Sequence, residues 1–403
     1  MLDLSKEQLG EQLVDLGLAP YRAKQVWSWL YAKGATDFGA MTSLSVAHRA
    51  LLDARFVVDG GAPLGAALVG ADGTRKWLSR FRDGRTAESV FIPTEQGGRG
   101  TLCVSSQVGC SLACSFCHTG TQPLLRNLTA GEIVGQLLTA RRALGDLPLD
   151  PRRKRAVTNI VFMGEGEPMY NYRHVLGALR TLTDGEGAKV GGRSITVSTS
   201  GVIPAIARLG RDMPAVNLAI SLHATTDELR SQIMAINRTN PLGPLLAACK
   251  DFARGAERHD AAADGGGERK RRRRRVTFEY VMLEGVNDSD ADAERLMRLV
   301  GGMPSLVNLI PFNAWEGAPY RSSDRATIER FAARLERGGQ YVTVRWPRGD
   351  DILAACGQLN AALGTNGGAI GDGDGESGGG GGSALEREIR KMHSEATAAD
   401  AGV

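Results

Sequence analysis

Three cysteines lie within eight residues of the sequence, in the stretch GCSLACSFCHTG. Cys110, Cys114 and Cys117 form a Cys-x3-Cys-x2-Cys pattern whose thiolates could bind a metal. Structural zinc usually comes from two separated ligand pairs, so zinc would need a fourth ligand such as the adjacent His118. Three buried structural cysteines fit poorly, because serine, glycine and histidine surround them. A four-iron cluster fits best, since three thiolates leave one iron open to a substrate or cofactor.

The rest of the chain has the composition of a soluble globular enzyme. It has 403 residues, 42% of them hydrophobic, which allows one large core or two smaller ones. No apolar run approaches the roughly 18 to 20 residues of a membrane span, and the start resembles neither a signal nor a transit peptide. The six cysteines are too few and too clustered for a secreted disulfide framework. We expect a cytoplasmic protein, or an organellar one if the N-terminus is truncated.

Short β-rich runs alternate with longer helical patterns along most of the chain. This order predicts an α/β fold with a parallel sheet or barrel. The predicted strands are 101–106, 159–163, 194–199, 217–222, 276–282, 307–312 and 341–346. The predicted helices between them include 130–144, 172–182, 226–233, 290–300 and 324–337.

The pattern divides the chain into three segments. The predicted segments are an N-terminal accessory domain of helices and short strands at 1–98, a barrel core at 99–360 with an Arg-rich insertion at about 256–275, and a Gly-rich flexible tail at 361–403. The accessory domain begins with a clear amphipathic helix at 21–33. Its apolar face is formed by Ala23, Trp27, Leu30 and Tyr31. Arg22 and Lys24 on this helix could contact RNA phosphates, but solvated basic residues fit equally well.

Polar and sulfur-bearing residues follow the predicted strands at their C-terminal ends. In βα barrels the loops at these ends form the ligand site, so distant residues would converge on one mouth. The stretches at these ends are 110–117, 164–168, 198–201, 221–223, 311–313 and 349–358, and they include Cys110, Cys114, Cys117, Gly166, Glu167, Ser198, Ser221, Leu222, His223, Asn313 and Cys356. A lone histidine such as His223 is more often a core residue than a ligand. The same holds for Cys249, which lies in an apolar helical stretch.

The net charge of +4 conceals an uneven distribution, because the run from Arg269 to Arg275 alone supplies seven positive charges. The remaining residues therefore sum to −3, which is not the balance of a strongly basic nucleic-acid binder. This run and the run 152–155 both precede predicted strands, so they should lie on the face opposite the mouth. We interpret the longer run as a solvated insertion, with an RNA-phosphate patch or a localisation signal as the alternatives.

The motifs together resemble a known family. An aromatic residue before the last cysteine of the pattern is typical of radical S-adenosylmethionine enzymes. The stretches that carry the closer resemblance, to the RlmN group of RNA methyltransferases, are TLCVSSQVGCSLACSFCHTGTQ, RNLTAGEIVGQ, GEGEP, STSGV, ISLHA, VNLIPFN, GAPYRSS and RGDDILAACGQL. They occur in order between about Tyr21 and Leu359, and the Arg-rich insertion and Gly-rich tail interrupt none of them.

The resemblance implies a fold and a chemistry. The fold is a partial (β/α) barrel of the radical S-adenosylmethionine type with a small accessory domain. The open iron of a [4Fe-4S] cluster chelates S-adenosylmethionine and cleaves it reductively to a 5′-deoxyadenosyl radical. The reaction methylates carbon 2 of adenine, which is too electron-poor for direct transfer of a methyl cation.

The resemblance also assigns roles to individual residues. Cys356 matches the cysteine that is methylated first and then adds to adenine as a methylene radical. Cys103 matches the cysteine that releases the RNA by forming a disulfide with Cys356, and Glu88 matches a proposed proton acceptor. The metal ligands are Cys110, Cys114 and Cys117. The positions that match S-adenosylmethionine contacts are Gly166, Glu167, Ser198, Ser221, Leu222, His223 and Asn313.

The implied partners are 23S-type ribosomal RNA, transfer RNA and an electron donor such as flavodoxin or ferredoxin. The implied enzyme is a monomer without a membrane segment that consumes two S-adenosylmethionine molecules per methylation. Two alternatives stay open at the level of the sequence. One is a Cfr-type enzyme that methylates carbon 8, and the other is a non-catalytic, zinc-bound RNA or ribosome-assembly protein. The presence of both Cys103 and Cys356 argues against the latter.

Overall fold

The structure, a computed structural model, describes residues 1–94, 98–263 and 275–359, with residues 260–263 described as backbone only. The tail at 361–403 and most of the Arg-rich insertion therefore lie outside the described residues. Within the described ranges, no helix combines the length and the apolar character needed to cross a membrane.

The chain begins with a small group of helices. They are α1 (Lys6–Asp15), α2 (Arg22–Ser28), which continues as a π-helical turn (Trp29–Lys33), and α3 (Val46–Asp53). Ser5 caps α1 with a capping box, in which its hydroxyl accepts from the Gln8 N–H and the Gln8 side chain accepts from the Ser5 N–H. The predicted helix at 21–33 is confirmed, and all four residues of its apolar face are buried.

The described strands form one large sheet and a separate two-stranded one. The strands are β1 (Ala62–Pro63), β2 (Leu68–Val69), β3 (Arg75–Arg80), β4 (Thr86–Pro93), β5 (Gly100–Cys103), β6 (Gln107–Val108), β7 (Arg126–Asn127), β8 (Val157–Phe162), β9 (Ile195–Thr199), β10 (Asn217–Ser221), β11 (Val276–Met282), β12 (Ser305–Pro311) and β13 (Tyr341–Val344). The large sheet has the order β1-β3-β4-β5-β8-β9-β10-β11-β12-β13, with β2 on β3, and β6 pairs with β7. Within the large sheet, every pairing from β5 to β13 is parallel, and every pairing among β1 to β5 is antiparallel.

Helices connect the parallel strands, as expected for crossovers in a βα fold. They are α4 (Ala130–Ala143), α5 (Tyr172–Thr183), α6 (Ile203–Asp212), α7 (Asp227–Ile233), α8 (Leu242–Ala263), α9 (Asp290–Val300) and α10 (Arg325–Arg337). The predicted α/β class and the partial barrel are confirmed, because the two end strands of the described sheet, β1 and β13, are not paired with each other. The predicted strands and helices agree with the structure to within a few residues at each end.

The accessory strands are continuous with the barrel sheet. Strand β4 pairs with β5 in an antiparallel register, so the predicted boundary between residues 98 and 99 falls inside one sheet. The register places Lys76 opposite Val90, Val90 opposite Cys103, and Cys103 opposite Val161. Residues directly opposite in neighbouring strands share a face, so these four lie in one row on one face of the sheet.

The main hydrophobic core fills the space between the sheet and its helices and continues into the N-terminal helices. Fully buried members include Leu30, Tyr31, Phe162, Phe278 and Phe331. Cys249 is completely buried in this core, as we predicted for a residue of structural rather than chemical importance. A separate apolar cluster forms around Cys103 and includes Val90, Ile352, Ala354 and Leu359.

Candidate active site

One pocket gathers most of the residues selected from the sequence. It is an open cavity of about 1000 Å³ at the C-terminal ends of the parallel strands. The selected residues that line it are Cys110, Cys114, Cys117, Gly166, Glu167, Ser198, Ser221, His223, Asn313 and Cys356. Leu222 does not line it, because its side chain is fully buried and its backbone bonds to Glu279 and Arg230. Cys103 and Glu88 lie outside the lining and are buried next to it.

The three-cysteine loop is held by backbone hydrogen bonds to neighbouring segments. The Cys110 N–H donates to the Gln122 carbonyl at 3.3 Å, and the Cys117 N–H donates to the Cys114 carbonyl at 3.1 Å. Ala113 has a positive φ of 49°, which turns the chain between the first two cysteines. Burial raises the pKa of Cys110 to about 11 and also raises the pKa of Cys114 and of Cys117. Metal binding would reverse this, because coordinated thiols are deprotonated.

The donor set fits a cluster better than a single ion. In the described part of the chain, no three His, Cys, Asp or Glu side chains are grouped so as to hold one metal ion. This arrangement does not fit the zinc site considered from the sequence. A four-iron cluster requires a different arrangement of its ligands, because each thiolate binds a different iron and the three thiols lie farther apart. Three free thiols on one pocket wall therefore fit a cluster with one iron open to the cavity.

Glu167 forms a rigid acidic part of the wall. Its carboxylate accepts from the Ser200 N–H at 2.8 Å and from the Met169 N–H at 3.0 Å, and the residue is only 2% exposed. Burial raises its pKa, and the backbone donors act in the opposite direction. Each oxygen keeps a further lone pair, so Glu167 can still accept from an ammonium group in the pocket. Gly166 beside it has a positive φ of 92°, and a Cβ there would fall 2.4 Å from Gln107 Cβ.

His223 lines the pocket as a neutral imidazole. It is 6% exposed, and its Nδ1 accepts from the Val281 N–H at 3.0 Å, which leaves the proton on Nε2. Burial, assisted by the nearby Arg230, lowers the pKa of His223 to about 3. Its backbone has a positive φ of 58°, an uncommon conformation that the strand end imposes. The residue is thus both a satisfied core histidine and part of the wall.

Arg230 binds the C-terminal ends of β9 and β10. This fully buried guanidinium donates to the carbonyls of Ser200, Ser221 and Leu222 at 2.7 to 3.0 Å, and to the Asn237 side chain at 2.9 Å. Those carbonyls belong to the ends of two neighbouring strands, so Arg230 fixes the positions of the adjacent pocket residues. No pattern in the sequence indicates this role, because an arginine in a short polar helix normally faces solvent.

Asn313 supplies an unsatisfied acceptor. Its side-chain N–H donates to the Cys356 carbonyl at 2.9 Å, while its Oδ1 is buried without a hydrogen-bond partner. A buried orphan acceptor on a pocket wall is suited to a donor on a bound molecule. That Glu167, Ser198, Ser221 and Asn313 contact the ammonium, carboxylate and ribose groups of S-adenosylmethionine stays a prediction.

The loop that carries Cys356 is tied to the rest of the site. The His118 N–H donates to the Gly357 carbonyl at 2.8 Å, and the Thr119 hydroxyl donates to the Leu359 carbonyl at 2.7 Å. The Gln358 side chain donates to the Ala314 carbonyl at 3.0 Å. These bonds hold the loop against both the cysteine loop and the segment that follows β12.

Cys103 and Cys356 are both free thiols, and they interact electrostatically across the wall of the pocket. Burial, and then the neighbouring Cys356, raise the pKa of Cys103 to about 12. Arg345, just after β13, opposes this increase and has its own pKa raised, chiefly by Cys356. The sequence drew attention to both cysteines but not to Arg345.

Glu88 lies on the same face of β4 as Val90, the residue paired with Cys103. It is 6% exposed, and its carboxylate contacts the Lys76 ammonium at 2.9 Å. Glu88 is therefore a buried, paired carboxyl group and not an exposed strand glutamate. Lys76 was not selected from the sequence, since nothing in a short strand identifies which lysine is buried.

The N-terminal helix and Arg275 lie away from this pocket. Lys24 forms an ion pair with Glu186, while Trp27 is buried and donates to Asp184 at 3.1 Å. Of the longer basic run, Arg275 alone is described, and its guanidinium stacks on the Tyr341 ring. Tyr341 is the first residue of β13, so Arg275 lies at the N-terminal end of the parallel strands. Contact between the N-terminal helix and RNA stays a prediction.

Comparison with known proteins gives matches along most of the chain. Residues 1–58 match the model for the ribosomal RNA large subunit methyltransferase N-terminal domain, and residues 104–297 match the radical SAM superfamily. The dual-specificity RNA methyltransferase RlmN of Granulibacter bethesdensis is 49% identical over 361 residues, covering 89% of this chain and 86% of the relative. The enzyme of that name from Rhodospirillum rubrum is 50% identical and covers 90% of this chain and 80% of the relative.

Among solved structures, the chain resembles a radical SAM methyltransferase from Sphaerobacter thermophilus. The TM-score is 0.80 at 44% sequence identity, and the match covers 90% of this chain and 99% of the other.

Proposed function

Because the chain belongs to the RlmN family of radical S-adenosylmethionine RNA methyltransferases, we propose that it methylates carbon 2 of an adenine through a methylated Cys356. Membership of this family makes the protein an enzyme that acts on RNA with an iron–sulfur cluster and S-adenosylmethionine. The non-catalytic zinc-binding alternative is therefore wrong. The observation that carries the finer proposal is the pair of free thiols, Cys103 and Cys356, beside the three-cysteine loop.

Different residues of the site carry out different steps of the proposed reaction. When bound, the cluster and S-adenosylmethionine supply a methyl group, a hydrogen-abstracting radical and a place to which one electron returns. Cys356 carries the methyl group as a thioether, and loss of one hydrogen atom from it leaves a methylene radical that adds to carbon 2. The ring then gives up one electron, together with the carbon 2 proton, which Glu88 accepts, and aromaticity is restored.

Cys103 then releases the methylated RNA. Its sulfur attacks the Cys356 sulfur, so that a disulfide forms and the bond from Cys356 sulfur to the methylene carbon breaks. The electron pair of that bond and the proton of the Cys103 thiol end on the carbon, which becomes the methyl group. A dithiol reductant must then reduce the disulfide before the next turnover. One S-adenosylmethionine is consumed as methyl donor and a second as radical source.

The proposal extends to partners and stoichiometry. We expect one [4Fe-4S] cluster per chain, a flavodoxin or ferredoxin as electron donor, and a cytoplasmic monomer. The relatives are named dual-specificity enzymes, which supports 23S-type ribosomal RNA and transfer RNA as the two substrates.

Substitution of the two cysteines should stop the reaction at different steps. Cys356→Ala should accept no methyl group and form no RNA adduct, because the bridging carbon is never installed. Cys103→Ala should be methylated at Cys356, add to the adenine and then stall. Denaturing gels should show it as an RNA conjugate that survives boiling and reductant and disappears with nuclease. Adduct-free inactivity of both variants, with the cluster intact, would refute the role of Cys103.

The position of methylation is tested by the product. Digestion of the modified RNA followed by chromatography and mass spectrometry against standards should identify 2-methyladenosine. Recovery of 8-methyladenosine instead would establish the Cfr-type alternative and overturn the carbon 2 proposal.

A further inference from the structure

A buried lysine lies in the row of residues that leads to Cys103. Lys76 on β3 faces Val90 on β4, which faces Cys103 on β5, so the three share one face of the sheet. Glu88 precedes Val90 by two residues and therefore points to that same face. The Lys76 Nζ is 2.9 Å from Glu88 Oε1, and the two side chains are 5% and 8% exposed.

A third ionisable side chain, that of Glu165, contacts Glu88. Glu165, which follows β8, is fully buried, and its Oε1 accepts from the Glu88 N–H at 3.1 Å. Burial, and then the nearby Glu88, raise the pKa of Glu165 well above its ordinary value. Lys76 is thus a buried lysine beside two buried carboxyl groups, so its ammonium is not left unpaired in the interior.

Lys76 also reaches the loop of Cys356. Its Nζ donates to the Leu353 carbonyl at 3.1 Å, only three residues before Cys356. Leu353 has a positive φ of 50°, an unfavourable conformation for a leucine, which persists only if its surroundings hold it. One ammonium thus contacts both the carboxylate of Glu88 and the backbone of the loop that carries the methylated thiol.

We propose that Lys76 is a positioning residue for proton removal from the RNA adduct: its ammonium holds the Glu88 carboxylate in a fixed place relative to the Cys356 loop. This inference rests on the proposed function, since it needs the adduct on Cys356. Without the ammonium, the Glu88 side chain loses the contact that orients it relative to that loop. The carboxylate then meets the carbon 2 proton less often, and the RNA conjugate persists.

Other titratable groups near Glu88 are accounted for. Glu165 faces it from the segment after β8, and Cys103 faces it from β5 with a pKa raised to about 12, chiefly by burial. Asp350 and Asp351 lie in the Cys356 loop, where they accept from Gln358 and from the Ala71 N–H. Any pH dependence of the thiols is shared with the wild type, so the ratio of variant to wild type isolates Glu88.

Three substitutions distinguish the effect of the Lys76 charge from that of its hydrogen bond to the Leu353 carbonyl. Lys76→Met removes both, Lys76→Gln keeps a neutral donor for the Leu353 carbonyl, and Lys76→Arg keeps the charge. The matched control is Lys6→Met, which removes a half-buried lysine paired with Asp184 and Glu186 far from the pocket. Each full-length, anaerobically reconstituted protein is incubated with a transfer RNA transcript, S-adenosylmethionine and a reductant between pH 6.5 and 9.

Across this pH range, Lys76→Met and Lys76→Gln should hold about tenfold more RNA conjugate than the wild type, because both lose the charge-assisted hydrogen bond that orients the Glu88 carboxylate. Lys76→Arg and Lys6→Met should match the wild type. Mass spectrometry should find Cys356 methylated in all of them, which also reports that each variant is folded.

Two results would overturn the inference. In one, the Met and Gln variants release RNA like the wild type. In the other, Lys76→Arg holds as much conjugate as Lys76→Met, or Cys356 is unmethylated in the variants, which would mean that Lys76 only supports the loop. Glu88→Gln separates these from failure of the proposed function, since it should hold the conjugate with Lys76 in place. Release of RNA by that variant would instead remove Glu88 as the proton acceptor.

Discussion

Arg230 shows how a side chain outside the pocket can determine the shape of the pocket. A buried guanidinium costs much free energy unless its donors are used, and four of its contacts are carbonyl or amide oxygens at 2.7 to 3.0 Å. Burial lowers the pKa of Arg230 to about 10, so it stays charged near neutral pH. The bonded carbonyls of Ser200, Ser221 and Leu222 belong to the ends of β9 and β10, which carry the pocket residues Ser198 and Ser221.

Replacing Arg230 with methionine should lower the free energy of unfolding by about 3 kcal/mol or more, because three buried carbonyls lose their donors. Urea unfolding of the cluster-free protein measures this directly. The matched control is Arg325→Met, whose side chain is 74% exposed in an ion pair with Glu329 and whose loss should cost less than about 1 kcal/mol. Similar losses in the two variants would show that the buried bonds contribute little.

At the level of elements, helix α4 packs against the N-terminal segment without side chains between them. A Cβ on Gly135 would lie 1.9 Å from the Gly60 carbonyl oxygen, and one on Gly131 would lie 2.9 Å from Leu2 Cβ. The glycines therefore allow a backbone contact that joins the accessory helices to the barrel. Helix α4 also carries Gln136, which accepts from the Ser105 N–H at 2.8 Å just after β5.

Gly135→Ala should destabilise the protein by about 1 to 3 kcal/mol, because the added methyl group overlaps backbone that cannot move freely. Gly255→Ala is the matched control on α8, where a Cβ meets no atom within 4 Å. That change should stabilise by about 0.5 to 1 kcal/mol through helix propensity. Thermal unfolding of both variants would test the contact, and a neutral Gly135→Ala would contradict it.

For the whole molecule, the direction of the parallel strands places the pocket at one edge of the sheet and the point where the basic insertion joins β11 at the opposite edge. The parallel strands end at the pocket, and β11 begins at the opposite edge beside Arg275 and Tyr341. The insertion itself lies outside the described residues, but its attachment to β11 is at that far edge. The alternative interpretation as an RNA-phosphate patch would require the RNA to reach around the barrel.

Replacing residues 264–274 with a Gly/Ser linker of equal length should leave methylation of a transfer RNA transcript within a few-fold of wild type. Loss of six or seven phosphate contacts would instead cost a factor of at least about a thousand near physiological salt. Measuring the rate at several salt concentrations distinguishes the cases, because lost contacts also flatten the salt dependence. A large loss with a flatter slope would place the run in the RNA interface.

The sequence alone determined the order of the elements and the edge at which the chemistry lies. Hydrophobic periodicity located each strand of the barrel core, and the rule that βα sites form at the C-terminal ends of strands predicted that Cys110, Glu167, His223 and Asn313 would meet. All four line one pocket. These inferences succeed because periodicity and strand polarity are local properties that the residues themselves encode.

Only the tertiary structure decided which charged residues are buried and what they contact. Lys76, Arg230 and Arg345 look in the sequence like ordinary surface residues, yet the first two are at most 5% exposed. Their roles depend on strand register and on contacts across as many as 277 residues, as between Lys76 and Leu353. The same is true of the joining of β4 to β5, which merges the accessory strands with the barrel. Long-range pairing follows from the packing of the whole chain, so no local pattern of residues specifies it.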